Sequence, residues 1–293
     1  MRTHVGEIEI EYELVGPEDG EPIVLVAGMF QQLSFWPEPF LAQLADAGLR
    51  VLIHDNRDVG FSTRESRPPP DLAAILEGDV CGVNYTLSDM AADTAGLVEV
   101  LGFESAHVLG HSMGGSIAQR VAIEFPRRVR SLVLFGTRPG DGVTGESSRE
   151  FLQEAMRPPS GDPQQRWEAA LEGYRICVAP EPIDEVELAA FLQTQADRAP
   201  NPYMQCLAAA TASEIAGMSS SPTHIEELQS LQHPTLVIHG ADDRVIAADG
   251  GERLAELIPN ARLVVVEGMG HFPLAAERWT TIADAVIDHV LKG

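Results

Sequence analysis

A serine with glycine two residues away on either side, in Gly110-His111-Ser112-Met113-Gly114, carries the plainest chemistry in this 293-residue chain. A serine on a tight strand-to-helix turn is strained, and the residues two before and two after it must be small for the backbone to pass. The flanks agree: Val108 and Leu109 are apolar, and Ser116 to Phe125 has a helical pattern, so the motif joins a buried strand to a helix. Such an elbow exposes the Ser112 hydroxyl above a sheet. The helix opening at Met113 turns its first amides and its positive end toward any negative charge that develops there. The chemistry this implies is acyl transfer.

A serine hydroxyl attacks well only when a base takes its proton, and a histidine base works best with its second nitrogen held by a buried carboxylate. Of nine histidines, His271 stands in Gly268-Met269-Gly270-His271-Phe272-Pro273, directly after a strand ending at Val266. Asp242 and Asp243 follow the strand Leu236 to His239 in the same way. All three loops open at one sheet edge, and the chain order serine, aspartate, histidine suits a doubly wound sheet with such an elbow. Other polar residues read as structural. His111 and His239 pack against the sheet, and Asp55, Arg57 and Asp58 form a polar network that holds a loop.

Positioning these residues requires a sheet. Arg2–Val5 and Glu7–Val15 read as two strands, the second alternating Ile8, Ile10, Tyr12 and Leu14 with glutamates, which marks an antiparallel or edge strand with one wet face. Continuous apolar runs at Ile23–Ala27, Val51–His54, Val129–Phe135, Leu236–His239 and Ala261–Val266 read as strands of a parallel sheet. Helices fall between them. One begins with Thr86 as cap and Asp89 three residues on, and stops at Gly102; others run from about Gly251 to Ile258 and from Ala275 to Leu291. The alternation predicts a mostly parallel, doubly wound α/β sheet whose site lies beyond the carboxyl ends of the strands. From Thr137 to about Thr223 the pattern is helical and broken by Pro158-Pro159, Pro180-Glu181-Pro182 and Pro200-Asn201-Pro202. This predicts a core of 1–136 and 224–293 carrying a helical lid at 137–223, with a pocket between them. Phe30 and Trp36, and Trp167 and Tyr203 of the lid, are candidate pocket residues; Phe30 and Trp36 read equally as core. Among Met156, Met204 and Met218, a minority is expected to touch ligand.

Composition narrows the partners. A net charge of −24 argues against nucleic acid and anionic lipid. The three cysteines, Cys81, Cys177 and Cys206, lack metal-ligand spacing and read as reduced. There is no signal-peptide pattern and no run near the about 20 apolar residues that span a membrane, so a soluble, cytoplasmic protein is expected.

These motifs, across Gly6 to Leu291, resemble the α/β-hydrolase family. The resemblance implies that Asp243, three residues after Gly240 and 28 before His271, is the acid partner, leaving Asp242 at the surface. It implies an oxyanion hole from the amides of Met29 and Met113. Relatives usually carry His-Gly where this chain has Ala27-Gly28, which removes a histidine that often braces that loop. Ala27-Gly28-Met29, His54 to Ser62 and Gly268 to His271 are most similar to a branch that includes the aclacinomycin methylesterases of secondary metabolism. That branch implies hydrolysis of a small carboxylic ester without metal or organic cofactor. A thioesterase or lactonase acting on a polyketide-type substrate shares the machinery, and a ligand-binding protein on the same scaffold is the reading of a different class.

Overall fold

The apolar runs become neighbours in one sheet of eight strands, ordered β1-β2-β4-β3-β5-β6-β7-β8. The computed structural model describes residues 1–68, 71, 74, 79, 82–155, 157, 160–198 and 223–292. The strands are β1 (Arg2–Val5), β2 (Ile8–Val15), β3 (Glu21–Val26), β4 (Leu49–His54), β5 (Ala106–His111), β6 (Val129–Phe135), β7 (Thr235–Gly240) and β8 (Ala261–Val266). β1 pairs with β2 and β2 with β4 in antiparallel fashion, and every other pairing is parallel. The helices are α1 (Glu38–Asp46), α2 (Leu87–Val100), α3 (Met113–Glu124), α4 (Arg149–Ala155), α5 (Pro163–Val178), α6 (Glu185–Arg198), α7 (His224–Gln229), α8 (Ala248–Leu257) and α9 (Ala276–Lys292).

The central strands are apolar throughout because both faces are covered. Val24, Val26, Val108, Leu132, Leu134 and Val237 point into one buried cluster with residues of α2, α3 and α8. Their neighbours Ile23, Leu25, Leu109, Val133, Phe135, Leu236 and Ile238 point into a second, with α1 and α9. Each fully buried Leu, Ile, Val or Phe contributes about 1.5–3 kcal/mol by leaving water. Two such layers outweigh the exposed ion pairs, worth at most about 1 kcal/mol each. The Thr86 cap forms as predicted: its side chain accepts from the Asp89 amide while the Asp89 carboxylate accepts from the Thr86 amide.

The chain runs outward from β3 in two directions, to β4 on one side and β5 on the other. That reversal of strand order opens a crevice above the carboxyl ends of β3 and β5, where the loop after β3 meets the serine turn. Helix α8 starts three residues earlier than the sequence reading, running through Gly250 and Gly251. Both glycines lie flush against neighbours, Gly250 on Arg138 and Gly145 and Gly251 on the His239 ring, so close packing outweighs their poor helix propensity. The described part of 137–223 contains α4, α5 and α6 and no strand. Tyr203, Met156, Met204, Met218, Cys81 and Cys206 lie outside the described residues. No helix among the described residues is long and apolar enough to cross a membrane.

Candidate active site

Ser112 sits between β5 and α3 with φ 55° and ψ −123°, a backbone region that only glycine enters without strain. The turn is held from both sides. The Ser112 amide donates to the Phe135 carbonyl at 2.9 Å, and the Ser112 carbonyl accepts from Gly115 at 2.8 Å. A Cβ on Gly110 would collide with the Gly114 carbonyl, and one on Gly114 with the Val26 carbonyl, so the small residues of the motif are a packing requirement. Ser112 itself is half-buried at the N-terminus of α3, where the first-turn amides have no acceptor within the helix and the dipole is positive.

β7 and β8 bring the other two loops to the same edge. The Ala241 amide donates to Val266 and the Asp242 amide to Met269, both at 3.0 Å, which zips the two loops together. Asp242 is exposed, whereas Asp243 is buried and its Oδ2 lies 2.7 Å from His271 Nδ1. The other carboxylate oxygen accepts from the amides of Val245 at 2.8 Å and Ile246 at 2.9 Å. Burial by itself pushes the Asp243 carboxyl up, but the charge of His271 and the contacts from His239 and His271 together hold it below the usual aspartate range. The geometry thus separates the two aspartates that spacing alone left open.

The His271 loop is also gripped by the helices between β6 and β7. The His271 amide donates to the Cys177 carbonyl at 2.6 Å, near the end of α5. Just beyond, the buried Glu181 carboxylate accepts from the amides of Leu274 at 3.1 Å and Ala275 at 3.4 Å and pairs with Arg278 at 2.5 Å. Burial raises the Cys177 thiol far above neutrality, leaving a protonated group with no nucleophilic role.

Between the serine and histidine loops lies His111, fully buried and stacked on Phe35 with ring centroids 4.9 Å apart. Its Nδ1 is 2.9 Å from Gln31 Oε1 and its Nε2 is 3.1 Å from the His271 carbonyl. Both partners are acceptors, and a neutral imidazole carries one N–H, so the ring bonds one of them at a time. Burial and the nearby His271 hold His111 well below the usual histidine range.

Gln31 answers the missing loop histidine. Its amide donates to the Gly28 carbonyl at 3.2 Å, and its side-chain oxygen accepts from the Gly28 amide at 2.7 Å. These reciprocal bonds close the turn that carries Met29 and Phe30, the latter held at φ 64°. Gly28 is wedged between Gln31 and Ser112: an added Cβ would lie 2.7 Å from Gln31 Oε1 and 3.0 Å from Ser112 Cβ. A polar side chain three residues after a strand-end glycine was the available signal for this brace.

The remaining candidates fall in different places. Met29 and Phe30 are half-buried in the loop after β3, and Met113 is buried at the start of α3. Trp36 is 2% exposed and packs on Phe40 and Trp279, which makes it a core side chain. Trp167 is half-buried on α5. Asp55 is tied to the amides of Leu33 and Phe61 and to Arg198, and Arg57 to Asp93, a loop-holding network.

A mostly parallel sheet with a strained serine between strand and helix, and an Asp–His pair on the loops after β7 and β8, defines the α/β-hydrolase class. The family model of the alpha/beta hydrolase fold matches residues 21–174 and 182–276, and the chain belongs to that family. It is 27% identical to the rhodomycin D methylesterase DauP of a Streptomyces species, over 97% of this chain and 95% of that protein. A shorter match, 34% identical to a putative carbamate hydrolase RutD of Variovorax paradoxus, covers 43% of this chain and 41% of that one. Among solved structures, the 2-hydroxy-6-oxo-6-phenylhexa-2,4-dienoate hydrolase of a Rhodococcus species has a TM-score of 0.79 at 22% identity, covering 98% of this chain and 96% of that one. That likeness shows the fold.

Proposed function

We propose that this hydrolase is a serine esterase that cleaves a carboxylic ester of a small, hydrophobic molecule through an acyl-enzyme. The observation that carries the reading is the strained Ser112 turn on the same sheet edge as the 2.7 Å pair of Asp243 and His271. In this mechanism Ser112 Oγ attacks the ester carbonyl carbon as its proton passes to His271 Nε2. Asp243 fixes the imidazole with Nδ1 protonated and stabilises the imidazolium. The amides of Met29 and Met113 receive the oxyanion. Collapse of the tetrahedral adduct breaks the bond to the alkoxide, which leaves with the proton from His271. Water then gives its proton to His271 and its oxygen to the acyl carbon, releasing the acid and restoring Ser112. All of these steps use side chains and amides of the chain itself.

The helices between β6 and β7 act as a lid that closes the acyl site from above. Phe30 and Trp167 are the half-buried members of the proposed pocket. A methyl ester is the preferred substrate class, because the resemblance in motifs and the match to a methylesterase over nearly the full length agree on it. The test is hydrolysis of a panel of methyl esters, thioesters and lactones by the wild type and Ser112→Ala. Turnover is expected on the methyl esters first and to fall by about 10⁴-fold or more in the variant. Equal turnover by both proteins would remove the serine mechanism.

A further inference from the structure

We infer that His239, a buried side chain of β7, is a positioning residue that holds and electronically tempers the Asp243 carboxylate. The inference rests on the reading of Ser112, His271 and Asp243 as nucleophile, base and acid. His239 stands four residues before Asp243 and is fully buried. Its Nε2 is 2.9 Å from the Ile246 carbonyl and 3.3 Å from Asp243 Oδ2. Its Nδ1 is buried with no hydrogen-bond partner, on the side where Gly251 of α8 presses against the ring. These surroundings settle the proton. Nε2 faces two acceptors and Nδ1 faces packed carbon, so the neutral ring carries its hydrogen on Nε2 and shares it between the carbonyl and the carboxylate.

The carboxylate is then fully engaged. Oδ1 takes the amides of Val245 and Ile246, while Oδ2 takes the Nδ1–H of His271 and a share of the Nε2–H of His239. With four donors around it the group cannot swing, and the aspartate turn is closed at both ends because His239 also bonds Ile246. Gly251 belongs to the same device, since a larger residue there would push the ring off its place. Sharing Oδ2 has an electronic effect as well. A second donor on an acceptor oxygen weakens the first bond, so His239 limits how strongly Asp243 holds the Nδ1–H of His271.

Other polar groups of the site contact it differently. His111 of β5 lies with its ring centroid 4.8 Å from that of His271 and meets the His271 carbonyl. Cys177 of α5 offers its carbonyl to the His271 amide, and Glu181 holds the amides of Leu274 and Ala275. Asp242 is exposed. Among the described side chains, His239 and His271 are the two that meet Asp243 Oδ2.

The test compares His239→Phe, which fills the space without a donor, with His239→Gln, whose amide N–H can reach the same place. Hydrolysis of p-nitrophenyl acetate is followed from pH 5 to 9, with Ser112→Ala as control. In His239→Phe, kcat is expected to fall about tenfold with KM within about twofold, and the acid limb of the profile to move up by about half a pH unit. His239→Gln should restore most of the rate and return the limb. A limb in His239→Phe that is unmoved or moved down, or a Gln variant no better than Phe, would overturn the inference. A ¹⁵N spectrum of the wild type supplies a check that needs no variant to fold: Nε2 of His239 should carry the proton, and an Nδ1–H ring would overturn the role. Unchanged turnover in Ser112→Ala would instead remove the catalytic reading and the inference with it.

Discussion

Ser112 is strained, and single side chains beside the turn reinforce the backbone bonds that hold it. Gln31 is the clearest of these. It takes over the bracing of the loop after β3 by bonding Gly28 through both its amide and its side-chain oxygen. Gln31→Met conserves volume and removes the acceptor, so the turn carrying Met29 should loosen while the substrate still binds. The expected result is a fall in kcat of about 10- to 100-fold with KM nearly constant, smaller than the loss of an oxyanion donor itself. Steady-state kinetics would decide it, and a kcat within twofold of wild type would speak against the brace. The sequence pointed to Ser112, to His271 and to the pair Asp242 and Asp243 because each follows a strand end in a recognisable loop, and the family resemblance chose Asp243. It read His111 and His239 as packing residues. That was half of the matter: both are buried among apolar neighbours, and both also direct ring nitrogens at groups of the site. A lone buried histidine has no periodic signature that distinguishes these uses.

At the level of elements, two of the fastenings that tie the described helices between β6 and β7 to the rest of the molecule lie beside site loops. One is the end of α5 and the turn beyond it, where Cys177 and Glu181 hold the loop that carries His271. The other is the C-terminal end of α6. Arg198 reaches the fully buried Asp55 side chain at 2.8 Å and Gln32 at 3.2 Å, while Gln32 donates to the Gln195 carbonyl at 2.7 Å. Burial raises the Asp55 carboxyl, and the amides of Leu33 and Phe61 and the Arg198 charge pull against it. Arg198→Met would leave Asp55 to those two amides, and losing one partner of a buried pair is costly because the other stays behind. Amide exchange within α6 is therefore expected to quicken by about tenfold or more, with the sheet unchanged. Exchange at the wild-type rate would mean that apolar packing alone seats the helix. The order of strands and helices was legible from apolar runs and proline breaks. The fastening was not, because Asp55 and Arg198 lie 143 residues apart and nothing local links them. Trp36 shows the opposite limit. An aromatic beside a site loop looks like a pocket wall until the packing of α1 and α9 encloses it.

For the molecule as a whole, buried histidines set the response to acid. Burial lowers His54, His107 and His224 from 6.5 to about 4, and holds His111 well below the usual histidine range. Between those values the unfolded chain binds protons that the folded one refuses. The stability these histidines contribute is therefore fully present above pH 6.5 and lost as pH falls through 4. Thermal melts across that range should show Tm dropping steeply, with a shallower slope in His54→Phe; a slope equal to wild type would exclude His54 from the effect. The central claim, however, concerns the serine. It is tested most directly by exposing the intact protein to a fluorophosphonate and mapping the adduct by mass spectrometry, beside Ser112→Ala. One adduct on the Ser112 peptide, absent from the variant, is the predicted result. No adduct under conditions that label a known serine hydrolase, or equal labelling of both proteins, would contradict it.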